Sequence, residues 1–429
     1  MSEVKKITFG GLFRKYIRIL LKKLPVDFRY PLYRRLAHVD PSSDMRLELK
    51  IAETKEELSD CFKILHDSYT ASGYMRPHSS GMRITKYHAL PTTTTVCAKY
   101  DGRVVGTISI IREGIFGFPL QSAFDLTKVR AKGGRIAEIS SLAIHPDFRN
   151  VGGSVFFPLM KFVREYCVNF SEVRHLVIAV NPNKIDFFEA ILYFSRLQES
   201  VVANYDFANG APAVGATLDL KESSGLLLQG FKGRPKKNNI YSYFYEMVSK
   251  NIRWPERKYH ITNDPVMTPG MLDYFFNVKS SVFNDLDDTH KSLLWSIYDL
   301  AEYRGILPML QGAGDHGRPL RRHQRYSIRC PGDFSICIEG KERKFVIEII
   351  EISISGFQAE CKLPLPLNVE GAGEIDLGLA ERSTVKAKAV RIRDSGTGVF
   401  YGFKISESDN SWRQCVASLE VGITTEDLR

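Results

Sequence analysis

Two short runs of residues carry the types and spacing needed to handle a phosphate-bearing molecule. The first is Arg149-Asn150-Val151-Gly152-Gly153-Ser154, which follows the strand-like run EISSLAIHP and precedes the helical pattern VFFPLMKFVREYCVNF. A strand-to-helix turn of small residues points backbone N–H groups outward at a helix N-terminus, where they and the helix dipole hold phosphate. Arg-x-x-Gly-x-Ser is a short pattern, and its setting between strand and helix gives it weight. The second run is Arg321-Arg322-His323-Gln324-Arg325, followed by Glu351-Ile352-Ser353-Ile354-Ser355-Gly356. Guanidinium groups bond phosphate oxygens and guanine edges in pairs. A glycine lets the backbone approach a base closely. The plain alternative for the arginines is a solvated basic linker.

Other candidates drop out on context. Gly312-Ala313-Gly314-Asp315-His316-Gly317 has the spelling of a dinucleotide-binding turn. It follows a helical pattern and precedes Arg318-Pro319, the reverse of what that fold requires, and reads as a linker. His78, His88, His145, His290 and His323 show no metal spacing, so no metal site is expected. The seven cysteines are scattered, with no C-x-x-C pair, which suits a reducing, cytoplasmic compartment.

These runs must be positioned by more than one fold. A chain of 429 residues with 44% hydrophobic and 25% charged content is a globular protein of two or three domains. Its net charge of +10 is concentrated: residues 1–36 hold ten Lys or Arg against Glu3 and Asp27. That argues against a nucleic-acid-binding body. Within this segment, residues 8–24 place Leu12, Phe13, Tyr16, Ile17, Leu20, Leu21 and Leu24 at helical spacing, with cations opposite, up to Pro25. A basic amphipathic helix of that kind lies on an anionic membrane surface or packs on its own protein. No secretory leader and no spanning segment is read here, so a cytoplasmic protein is expected, with the basic helix as its means of peripheral attachment to the inner membrane.

Residues 41–260 alternate strand and helix patterns and predict an α/β (α+β) mixed-sheet domain. Thr54 and Glu57 form a capping box for the first helix, and Asp101-Gly102 is the turn of a hairpin. Residues 261–317 read as a helical connector, with Thr268 and Pro269 as N-cap and first helical residue. Residues 318–429 hold short β-branched runs separated by Gly, Pro and charged turns, which predict a small antiparallel β-barrel.

The hairpin VCAKYDGRVVGTISI, the strand AEISSLAIHPDFR, the turn RNVGGS and the segment VNPNKIDFFEAILYF together resemble the GNAT acyltransferase superfamily. The branch they resemble most contains N-acyl amino acid synthases and acyl-homoserine lactone synthases. SYTASGYMRP and NGAPAVGATLDL extend the resemblance across residues 48–220. It implies transfer of an acyl group from an acyl carrier protein, or from coenzyme A, to an amine. It also implies that Arg149, Gly152, Gly153 and Ser154 hold the donor's phosphopantetheine, and that backbone N–H groups near Leu142 to Ile144 stabilise the oxyanion. Glu138 matches the acidic residue of that strand and becomes the candidate to hold or deprotonate the amine; its plain alternative is a carboxylate in an ion pair. Tyr69, Tyr74 and Arg76 are candidates for a pocket wall or for the core. Two departures stand out. Ser141 occupies a place where the related synthases often carry Arg, and Phe188 a place where many GNAT enzymes carry a Tyr acid. Tyr193 falls where Gly is usual.

The Arg321-x-x-x-Arg325 run with Glu351, Ser353 and Gly356 resembles the two motifs of PilZ domains, with Glu in place of Asp or Asn. This resemblance implies a cyclic di-GMP site formed by Arg321, Arg322, Arg325, Glu351, Ser353 and Gly356. The joint reading is a cyclic di-GMP-responsive N-acyltransferase. The alternative is an inactive acyltransferase-like scaffold that serves as output for the nucleotide receptor.

Overall fold

The computed structural model describes residues 24–41, 44–114, 116–149, 153–255, 267–298, 303, 305–309, 326–338, 340–378, 381–394 and 399–421. Residues 8–23, Gly152 and the arginines 321, 322 and 325 lie outside the described residues.

The first element is a helix, α1 (Val26–Leu36), opened by Pro25. Then come β1 (Leu47–Ile51), α2 (Lys55–Ala71) and the hairpin β2 (Thr93–Tyr100) and β3 (Arg103–Arg112). The hairpin turns through Asp101 and Gly102, both at positive φ, as the two-residue turn requires. A short helix α3 (Thr127–Arg130) precedes β4 (Arg135–Ile144), α4 (Phe156–Asn169), β5 (Val173–Val180), α5 (Ile185–Leu192), β6 (Ser195–Arg196), β7 (Val202–Tyr205), β8 (Ala211–Asp219) and α6 (Leu220–Phe231). The sheet runs β1-β2-β3-β4-β5-β8-β6, with β7 also on β8. Every pairing is antiparallel except β4 with β5.

The two faces of this sheet differ in chemistry. One buries Ile108, Ile110, Ile139, Leu176 and Ile178 against α4, α5 and α6. On the other, side chains paired across the strands form a row Thr93, Ile111, Glu138, Val177 and Thr217. Thr95, Thr107 and Ser109 lie two or four residues along on the same face, and all three are buried. So much polar surface under cover is unusual for a sheet that only packs.

That polar face is covered by α2 and by the segment whose pattern suggests a connector. α7 (Pro269–Asp273) begins at Thr268, whose side chain accepts from the Met271 N–H. Beyond it lies α8 (Asp288–Ile297). Leu272, Phe275, Phe276, Phe283, Leu294 and Tyr298 of this segment join Phe62 and Leu65 of α2 in one core.

The C-terminal strands are β9 (Tyr326–Ile338), β10 (Lys341–Ser353), β11 (Gly356–Cys361), β12 (Glu370–Gly378), β13 (Glu381–Asp394) and β14 (Val399–Ser408), with α9 (Asn410–Val421) after them. They close an antiparallel barrel in the order β10-β11-β14-β13-β12-β9. Its core has its own residues, among them Phe334, Phe357, Phe403 and Trp412. No described helix is long and apolar enough to cross a membrane.

Candidate active site

Glu138 sits in the middle of the sheet and is 1% exposed. Its Oε2 accepts one hydrogen bond, from the backbone N–H of Leu120 at 2.9 Å. No described cation forms an ion pair with it. Burial pushes its carboxyl up to about 8, and the Leu120 N–H only partly opposes this. The ion-pair alternative for this residue is therefore absent among the described residues.

The backbone around Glu138 opens toward β5. Parallel pairing starts at Arg135 with Val173 and ends at Glu138 with Val177, while β4 continues to Ile144. Three residues on, Ser141 adopts φ 53 and the pairing with β3 slips between Thr107 and Ser109. A left-handed residue in a strand re-aims the residues after it. The His145 N–H bonds the Val105 carbonyl on the β3 side at 2.8 Å. By strand alternation, the N–H groups of Leu142 and Ile144 face the opposite way, into the gap beside β5.

After β4 the chain makes a short turn at Pro146–Phe148. Arg149 then folds back: its Nε donates to the Ile144 carbonyl at 2.6 Å and its Nη2 to Ser68 Oγ on α2 at 3.0 Å. Gly153 has φ +79, and a Cβ there would meet the Phe157 ring at 2.7 Å. Ser154 leads into α4, whose N-terminus no side chain caps. The structure thus brings Glu138, Leu142, Ile144, Arg149, Gly153 and Ser154 onto one strand and the turn after it.

Tyrosines crowd the carboxylate. Burial and then Glu138 push Tyr87 up to about 12, and the same two causes push Tyr205 up. Tyr69 is raised by burial and by Glu138, against the nearby Arg83. The Tyr205 hydroxyl and Ser141 Oγ are buried with no hydrogen-bond partner among the described residues. Tyr69 and Tyr74 meet edge to face at 5.8 Å. Tyr87, Arg83 and Tyr205 carry no motif signal and were not legible in the sequence; Tyr69 and Tyr74 were, as pocket or core.

Phe188 lies on α5 and is 8% exposed, packed edge to face on Phe194 at 5.7 Å. Tyr193 caps α5 at φ 61, a conformation that favours glycine. Its ring is held by the Arg34 guanidinium at 4.4 Å, and a Cβ on Gly230 would collide with its hydroxyl.

In the barrel, Glu351 lies on β10 at a register shift against both neighbouring strands. Ser353 Oγ donates to the Gly356 carbonyl at 3.0 Å, closing the turn into β11. Trp412 Nε1 donates to the Ser353 carbonyl at 3.2 Å. A Cβ on Gly356 would lie 2.4 Å from the Phe403 carbonyl oxygen. Ser353 and Gly356 thus have folding roles of their own. No described group of His, Cys, Asp and Glu residues could hold a metal ion.

Residues 60–219 match the family described as N-acyl amino acid synthase FeeM. Among solved structures, FeeM from uncultured soil microbes is 25% identical, with 43% of this chain and 97% of that one covered and a TM-score of 0.37. The acyl-homoserine lactone synthase LasI is 17% identical, with 47% and 96% covered and a TM-score of 0.33. YncA of Salmonella typhimurium, described as a putative acetyltransferase with its cofactor acetyl-CoA, is 15% identical, with 41% and 94% covered and a TM-score of 0.30. Among curated protein sequences, none matches the chain. The family match lies within the N-terminal sheet domain and not in the barrel, and over residues 60–219 this chain is similar to the N-acyl amino acid synthases.

Proposed function

We propose that the N-terminal domain moves an acyl group from a phosphopantetheine thioester, on an acyl carrier protein or coenzyme A, to an amine held at Glu138. The observation that carries this is a buried carboxylate without a cation, set where β4 leaves β5. An incoming ammonium supplies the missing cation and gives its proton to Glu138, whose raised pKa brings it nearer that of an amine. The neutral nitrogen then attacks the thioester carbonyl. The N–H groups of Leu142 and Ile144 face the gap in which the oxyanion develops. The C–S bond breaks, the thiolate leaves and takes up a proton, and the products are an amide and a free thiol. A thiolate is a good leaving group, so Phe188 in place of a tyrosine acid is compatible with turnover. Gly153, Ser154 and the uncapped start of α4, with Gly152 beside them in the sequence, support donor phosphate binding. Arg149 is committed to Ile144 and Ser68 through two of its nitrogens, so its part is to brace the turn. The test is acyl-amine product in lipid extracts of expressing cells: wild type forms it, and Glu138→Gln and Gly152→Trp do not. Product that survives in Glu138→Gln removes the catalytic assignment, and no product from wild type leaves the scaffold reading.

For the barrel, the reading is a cyclic di-GMP receptor. Its support is the spacing of Arg321, Arg322 and Arg325 before Glu351, Ser353 and Gly356, joined to a closed six-stranded barrel. Calorimetric titration with cyclic di-GMP, beside Arg321→Ala/Arg325→Ala, decides it: saturable heat lost in the variant is expected, and no heat from wild type overturns it. Membrane attachment through residues 8–24 finds support in α1, which exposes Phe28, Leu32 and Leu36 four residues apart, next to the exposed Arg35. Flotation with anionic, but not neutral, vesicles is the expected result.

A further inference from the structure

A second group of reactive side chains meets where α8 packs on the turn Lys86–Ala89. Lys86 Nζ lies 2.9 Å from His290 Nε2. On the other side of that ring, Nδ1 lies 2.6 Å from Asp287 Oδ2. Phe116 holds both members of the first pair: its ring centre is 5.3 Å from Lys86 Nζ and 4.8 Å from the imidazole, edge to face. No described carboxylate forms an ion pair with Lys86. Lys86 and His290 are half-buried, which takes the amine partly out of water and leaves it within reach of a solute.

Hydrogen-bond arithmetic fixes the roles. An ammonium can only donate, so His290 Nε2 accepts from Lys86. The ring's one proton then sits on Nδ1, and Asp287 accepts it. A nucleophilic nitrogen, a base aimed at it and a carboxylate that orients the base form the arrangement of an activated nucleophile, with an amine in the place of a hydroxyl or thiol. Helix capping explains only part of this. Asp287 Oδ1 accepts from the His290 backbone N–H at 2.8 Å and opens α8. The cap does not require Oδ2 to hold the ring, nor a lysine from another element to lie on the ring's far nitrogen. Burial also holds the Lys86 ammonium below the ordinary lysine value, against the field of Asp287.

We propose that Lys86 is a covalent modification site, which takes an acyl group from an acyl thioester onto its own Nζ, with His290 as the base and Asp287 as a positioning residue. Lys86 first releases one proton to water. The neutral nitrogen attacks the thioester carbonyl and the new C–N bond forms. The second proton passes from that nitrogen to His290 Nε2, and Asp287 stabilises the imidazolium. The C–S bond breaks, and the thiolate takes the proton from His290. The products are an Nζ-amide and a free thiol. The amide keeps one N–H for His290 and carries no charge, so acylation removes a cation from the contact between α8 and this turn. The step uses neither Glu138 nor the turn at Gly153.

The experiment is a time course of the full chain with S-acetyl-N-acetylcysteamine, a small thioester without a nucleotide, read by peptide mass spectrometry. Lys86 should be acetylated at least about tenfold faster than the exposed Lys128 and Lys132, and the advantage should vanish when the chain is unfolded in denaturant. His290→Phe, which keeps a ring against Phe116, should bring Lys86 down to the rate of those lysines. Asp287→Asn keeps the cap on α8 and loses the charge on the ring, so it should slow Lys86 with the melting temperature unchanged. Asp287→Glu should restore part of the rate. Lys86 modified no faster than Lys128 and Lys132, or an advantage that persists in the unfolded chain, overturns the proposal. An unchanged Lys86 rate in both His290→Phe and Asp287→Asn overturns it too.

Discussion

At the residue scale, Glu138 sets a stability that depends on pH and, as the proposed partner of the amine, a rate. Its folded pKa of about 8 lies above the ordinary carboxylate value because it is buried with a single N–H donor. Between the unfolded pKa and about 8 the native state therefore binds the extra proton. Stability from this group is full at acid pH and falls as pH rises through that window, by about 1.4 kcal/mol per pH unit while the two states differ by one proton. Glu138→Gln removes this dependence while keeping an acceptor for the Leu120 N–H. Melting curves should show the variant more stable than wild type at pH 8, with the advantage shrinking toward pH 5; parallel curves would refute the burial argument. On the proposed mechanism catalysis runs the other way. The carboxylate form accepts the proton, so kcat/KM should climb with pH along a limb near 8, and Glu138→Gln should lose that limb together with most of the rate.

At the element scale, what the sequence made legible was local. Thr54 and Glu57 predict a capping box, and the structure has it, with the Glu57 N–H donating to Thr54 Oγ1 at 3.2 Å. Thr54→Ala should cost about 1 kcal/mol in denaturant unfolding. Asp101-Gly102 and Thr268-Pro269 were legible for the same reason: a cap or a tight turn is a bargain struck among neighbours in sequence. The left-handed Ser141 was not, because the polar pair Ser140-Ser141 breaks the alternation of EISSLAI without saying which residue turns to positive φ or that the pairing with β3 slips. Arg83 was not legible either. An arginine in MRITKYH looks like a surface cation until the fold buries it between Tyr69 and Phe207. In the barrel the motif itself hides a folding constraint. Gly356 abuts the Phe403 carbonyl, so Gly356→Ala should destabilise the barrel by about 1–3 kcal/mol whether or not nucleotide is present. A variant that loses nucleotide binding with unchanged unfolding would instead give this glycine a purely ligand-facing role.

At the scale of the whole molecule, the segment from residue 267 to 298 packs over the candidate site. Its amphipathic pattern revealed an apolar face but not what that face would cover. The structure lays Phe275 edge to face on Phe62 of α2 at 5.2 Å. The Tyr298 hydroxyl donates to the Ala89 carbonyl, and His290 Nε2 lies 2.9 Å from Lys86 Nζ. These contacts grip the turn Lys86–Ala89, which carries Tyr87 beside Glu138. A fragment ending at residue 255 loses Leu272, Phe275, Phe276, Phe283, Leu294 and Tyr298 from the core over the polar sheet face. Losing even one buried Phe to Ala costs about 3–5 kcal/mol, comparable to the whole margin of a domain. That fragment should bind a hydrophobic dye, lack a cooperative transition and form no acylated amine. A fragment ending at residue 309 should unfold cooperatively and keep whatever basal transfer the full chain has. If the shorter fragment melts as sharply and as high as the longer one, the sheet domain closes its own site, and the packed segment is cover without consequence for Tyr87 or Glu138.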